Sequence, residues 1–137
     1  MDDSYRRTSA EPLAGFEHCV LYSAAVHHPH LQVKLFSFKT FPLPFYLVEL
    51  GNVESVAVDF ESLFKDTPLQ HWYKSGEWNV RYLCDAARYA YLYKVGGYYL
   101  DTDSLTLRNF ANITNALAWQ NSVELNVLFL TNYHQTK

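Results

Sequence analysis

Nothing in these 137 residues approaches the roughly 18 consecutive apolar positions that a membrane-crossing helix needs, so no span is expected. The opening residues, Met1-Asp2-Asp3-Ser4-Tyr5-Arg6-Arg7, have no apolar core, so no signal peptide is expected there. There is no Lys/Arg-rich block and the net charge is −3, which argues against nucleic acid as a partner. Cysteine is scarce. Cys19 and Cys84 settle nothing about compartment, and whether they pair stays open at this point. His27, His28 and His30 cluster, but no further ligand follows at zinc-finger spacing and Pro29 divides them between a helix end and a loop. A solvated helix end is therefore expected there, not a metal site.

What is present is a globular composition, with apolar residues at 49% and charged ones at 18%. The length suits one modest core and one domain. Residues 1–15 are small and polar with Pro12 and Gly15, a mobile lead-in to a domain over 16–137. The eleven tyrosines fit either a carbohydrate site or ordinary core packing, so their number alone does not choose between them.

The periodicities give an alternation of helices and strands. Phe16, Cys19, Val20, Ser23 and Val26 recur at helical spacing, and Pro29 stops that helix. Residues 32–38 alternate as a strand, 45–50 form a short helix closed by Gly51, and 52–58 form a second strand. A short helix covers 59–64, and Thr67 is placed to cap another that begins at Pro68. Residues 104–108 and 123–130 read as further strands. Such alternation predicts an α/β fold with a largely parallel sheet flanked by helices.

The most informative stretch is residues 83–103. Leu83 to Lys94 lacks Gly and Pro and favours a helix, which Gly96 and Gly97 stop. Tyr98 to Asp103 then reads as a strand, whose period of two puts Tyr99, Asp101 and Asp103 on one face. The two carboxylates would stand about 7 Å apart at their backbones. At an effective dielectric of about 20 they would repel by about 2.4 kcal/mol, against about 0.6 kcal/mol in bulk water. A cation between them would remove that cost, and carboxylate oxygens suit Mg²⁺ or Mn²⁺. Asp85 and Arg88 are three apart on the preceding helix, hence neighbours. They read either as a surface ion pair or as a set that grips a hydroxylated ligand.

The segment CDAARYAYLYKVGGYYLDTDSLTLRN closely resembles the DxD region of glycosyltransferase family 32. That region has an Asp-Ala-x-Arg helix, a Lys-x-Gly-Gly turn and Tyr-x-Asp-x-Asp, in this order and spacing. CVLYSAAVHHPH and LFKDTPLQHWY resemble two other family segments, with Tyr22 where the family has Glu. Cys19 matches a family cysteine. Haloacid-dehalogenase-like phosphatases also place Asp-x-Asp after a strand, but Leu105 stands where they carry Thr or Val.

The resemblance implies a GT-A fold, of which this chain would cover a middle portion. Family members add an anchor, a stem and a uridine-binding strand upstream, and an acceptor-side region downstream. It implies a retaining hexosyltransferase of the alpha-1,4-galactosyl or N-acetylhexosaminyl type, moving a sugar from a UDP-sugar donor to a glycan or glycolipid acceptor at the lumenal side of the Golgi membrane. Asp103, with Asp101, would hold Mn²⁺ or Mg²⁺. Asp101 would contact the donor's ribose or sugar, and Asp85 and Arg88 its hydroxyls. Gly97 would let backbone come close, and Tyr99 would pack on the donor. Asn112-Ile113-Thr114 is a glycosylation sequon that family members share in position. The alternative is a non-catalytic remnant or interaction module of the same fold.

Overall fold

The computed structural model describes residue 13 and residues 15–114, 116–119 and 125–129. The expected lead-in lies almost wholly outside them. The chain forms two compact units, one built from residues up to Val58 together with Asp101–Asn109, the other from Asp59–Leu100 and Phe110 onward.

In the first unit, helix α1 (Gly15–His27) is followed by strand β1 (Val33–Ser37), helix α2 (Phe45–Val48) and strand β2 (Val53–Ala57). Helix α1 lies against β1 and buries Val20, Leu21, Ala24 and Ala25. Strands β1 and β2 pair in parallel, with Val33 opposite Val53 and Ser37 opposite Ala57. Such pairing needs a crossover connection, and α2 lies within it. Lys34 and Glu54 face each other across the pair, with Nζ 3.1 Å from Oε1.

The end of α1 is more enclosed than the sequence suggests. His28 is buried, and its Nδ1 lies 3.0 Å from the Ala24 carbonyl oxygen. Asn52 Nδ2 lies 3.1 Å from the carbonyl oxygens of Ala25, His28 and Leu31. Asn109 Nδ2 donates to the His27 carbonyl at 2.8 Å. The last carbonyls of a helix lack partners within it, and here two asparagine side chains supply them. Of the three histidines, His28 is therefore enclosed, His27 is partly covered and His30 is exposed.

In the second unit, α3 (Phe60–Phe64) is capped by Asp59, whose Oδ1 accepts from Ser62 N at 3.2 Å. Helix α4 (Gln70–Ser75) starts two residues later than expected. Thr67 holds the turn before it, donating to the Phe64 carbonyl and accepting from Leu69 N. Helix α5 (Val80–Val95) begins earlier than Leu83, because Asn79 caps it by accepting from Tyr82 N at 3.0 Å. Phe64, Leu83, Ala86 and Ala90 form the core of this unit. The Phe64 ring stacks on Tyr73 at 4.7 Å, and Trp78 stacks on the same Tyr73 at 5.7 Å. Strands β3 (Ala116–Trp119) and β4 (Leu125–Phe129) pair antiparallel.

The α/β class is therefore present, with a parallel pair and an antiparallel pair among the described residues. Strand β3 had no sequence expectation, and β4 falls within the last expected strand. Two expected strands do not form. Residues 104–108 have no regular structure, and Tyr98 makes a single bridge before the chain enters a turn at Thr102 and Asp103. Asp, Thr and Ser compete with a strand ladder by bonding their own backbone, and so favour turns. Among the described residues no helix is long and apolar enough to cross a membrane.

Candidate functional site

Helix α5 presents Asp85 and Arg88 one turn apart, and Arg88 Nη2 donates to Asp85 Oδ1. Asp85 is half-exposed, whereas Arg88 is largely covered. Part of that cover is aromatic: the guanidinium carbon lies 4.4 Å from the centre of the Tyr99 ring. A cation over a ring face is attracted by the ring quadrupole, most strongly where water is excluded.

Two glycines bring Tyr99 back to the helix it follows. Gly96 closes α5 by donating its N–H to the Leu92 carbonyl at 2.9 Å, with φ at 74°. Gly97 has φ at 109°. A Cβ at Gly97 would meet no protein atom within 4 Å, so the backbone angle, not crowding within the protein, calls for glycine there. Next, Tyr98 anchors the chain. Its hydroxyl is 2.9 Å from the Ala111 carbonyl and 3.2 Å from that of Ile113, and its ring meets Phe110 at 5.2 Å.

Asp101 and Asp103 belong to the first unit. They sit in a tight turn in which Ser104 N donates to the Asp101 carbonyl at 3.0 Å. Asp103 is exposed and Asp101 half-buried. The strand-face reading that grouped Tyr99 with both acids is corrected by this turn, because the two-residue alternation ends before Asp103. Among the described residues no group of three or more His, Cys, Asp or Glu gathers to hold a metal. Two carboxylates on one turn nonetheless fit Mg²⁺ or Mn²⁺, which is bound through one or two carboxylates plus waters and substrate phosphates.

Cys84 and Cys19 are both free thiols. Desolvation pushes the Cys84 thiol above its ordinary pKa, Asp85 adds to the rise, and Arg88 opposes it. That makes it a poor nucleophile at neutral pH. Asn112 is exposed on the turn closed by Ile113 N donating to the Phe110 carbonyl at 2.8 Å.

Sequence reasoning found the Asp85–Arg88 pair but missed the Arg88–Tyr99 contact. The Gly-Gly reversal was the available signal, since it folds the following residues back along the helix.

The sequence profile described as "Glycosyltransferase sugar-binding region containing DXD motif" matches residues 17–124. The chain belongs to this family of DXD-motif glycosyltransferases. It is 40% identical over 127 residues to lactosylceramide 4-alpha-galactosyltransferase of Homo sapiens, covering 82% of this chain and 36% of that protein. The mouse (Mus musculus) protein of the same name is 38% identical over 127 residues, with 82% and 35% covered. Alpha-1,4-N-acetylglucosaminyltransferase of Homo sapiens is 34% identical over 106 residues, with 66% and 31% covered. The chain thus spans about a third of the length of these relatives. No solved structure matches it.

Proposed function

We propose that these residues form the donor-sugar part of a retaining hexosyltransferase of the GT-A fold. It would move galactose or an N-acetylhexosamine from a UDP-sugar to a glycan or glycolipid acceptor, in the Golgi lumen. The observation that carries this reading is the Asp85–Arg88 pair of the second unit, held beside Tyr99 by the reversal at Gly96 and Gly97.

In the reaction the bond from the anomeric carbon to the diphosphate oxygen breaks, and its electron pair leaves with UDP. The acceptor hydroxyl oxygen forms the new bond and releases its proton. Asp85 accepts hydrogen bonds from sugar hydroxyls, and Arg88 donates to them while keeping the carboxylate oriented. Asp101 contacts the ribose or sugar, and Gly97 leaves room for the donor against the backbone. Asp103 and Asp101 would hold Mn²⁺ or Mg²⁺, which when bound supplies Lewis-acid stabilisation of charge on the diphosphate.

Calorimetry with UDP-galactose and Mn²⁺ tests the reading. Asp103→Ala should abolish metal-dependent binding, and a wild-type chain that binds no UDP-sugar would sink it. A second reading, a non-catalytic interaction module, is favoured by the exposed aromatics Phe38, Phe45 and Tyr46 of the first unit. A cooperative melt without any shift on adding UDP-sugar and Mn²⁺ would select it.

A further inference from the structure

We infer that Tyr99 is a positioning residue that acts on the donor sugar through Arg88, not a platform on which the donor itself stacks. The inference rests on the proposed donor-sugar role of Asp85 and Arg88. Three features of the second unit carry it. The Arg88 guanidinium covers the Tyr99 ring, 4.4 Å from its centre, so this ring face is already occupied by a cation of the protein. The same guanidinium is tied through Nη2 to Asp85 Oδ1. A planar cation fixed by a carboxylate and a ring face has few orientations left, whereas an arginine side chain otherwise has many rotamers to lose on binding. Third, the backbone that carries the ring is anchored on both sides of the turn. The neighbouring Tyr98 is pinned through its hydroxyl to the carbonyls of Ala111 and Ile113, and Gly97 turns the chain toward α5.

What Tyr99 supplies to Arg88 is therefore the π face. Phe keeps the face and Leu removes it at similar bulk. Arg88→Lys keeps the charge but loses the plane that stacks and the fork that pairs.

The test is calorimetric binding of two probes, UDP-galactose and UDP, each with Mn²⁺, to the full chain and to Tyr99→Phe, Tyr99→Leu and Arg88→Lys. Thermal melts establish that each variant is folded. Tyr99→Leu should weaken UDP-galactose about tenfold and leave UDP unchanged. Tyr99→Phe should bind both as the wild type does, and Arg88→Lys should repeat the Leu pattern. Equal weakening of UDP and UDP-galactose by Tyr99→Leu would mean that the ring touches the nucleotide, and overturns the inference. So does loss of UDP-galactose binding in Tyr99→Phe, which would give the role to the hydroxyl. If Tyr99→Leu does not fold, the Phe and Lys variants decide alone. A wild-type chain that binds neither probe removes the donor reading and this inference together. Failure of the variants alone leaves the donor reading standing.

Discussion

The Asn52 side-chain nitrogen lies 3.1 Å from the backbone oxygen of His28, and the same distance from those of Ala25 and Leu31. One amide thus closes the end of α1 and fixes the residue just before β2. Asn52→Ala should cost about 2 to 3 kcal/mol, because buried carbonyls lose their donor. Asn52→Asp should cost more, since a carboxylate brings lone pairs to three oxygens and no hydrogen. Urea melts would measure both. A neutral Ala variant would mean that water replaces the amide.

Phe64 is 0% exposed and sits between Tyr73, Trp72 and Phe60. Phe64→Ala should destabilise the second unit by about 3 to 5 kcal/mol, the usual range for a large aromatic deleted from a packed core. Tryptophan fluorescence reports on this unit directly, because Trp72 and Trp78 lie around the same cluster. A change confined to signals from the first unit would contradict the assignment of this core.

The raised pKa of Cys84 has a defined sign. Folding favours the neutral thiol, so this contribution is complete below the ordinary thiol pKa and is lost as pH rises through it toward the folded value. The iodoacetamide alkylation rate of Cys84 should therefore rise at higher pH than that of the unfolded chain. Asp85→Asn should move the midpoint down, and Arg88→Gln should move it up, since the two charges act oppositely. Mass spectrometry of the tryptic peptide gives the rates. Identical midpoints for wild type and Asp85→Asn would show that desolvation alone sets the shift.

Asn112 stands exposed on a turn, in a sequon whose threonine is also exposed. Expressed through a secretory route, the chain should carry a glycan there that Asn112→Gln removes, visible as faster migration on a gel. Because the side chain faces solvent, the substitution should leave the melting temperature nearly unchanged.

Much of the architecture is readable wherever periodicity and caps agree. Helix α1, the pair β1 and β2, Asp59 before α3 and the Gly96 stop all follow from local chemistry. The failures also have physical causes. Tyr98 to Leu100 looks like a strand, yet Asp-Thr-Asp-Ser bonds its own backbone and turns. The end of α1 looks solvated because the side chains that bond its last carbonyls, Asn52 and Asn109, lie far along the chain. In the same way, spacing on the helix pairs Asp85 with Arg88, but only the chain reversal at Gly97 reveals what covers the guanidinium.

Tyr98 and Tyr99 are chemically alike and adjacent, yet one grips two backbone carbonyls while the other lies under a guanidinium. What separates the two jobs is a single step along the backbone. Phenylalanine at position 98 would give up both of those hydrogen bonds, whereas at position 99 it would keep the ring face that Arg88 covers. Adding one residue between Gly97 and Tyr98 would put Tyr98 where Tyr99 now lies and carry Tyr99 past Arg88. Length here is a stricter constraint than identity, and variation among functioning copies should take the form of substitutions, never of gaps.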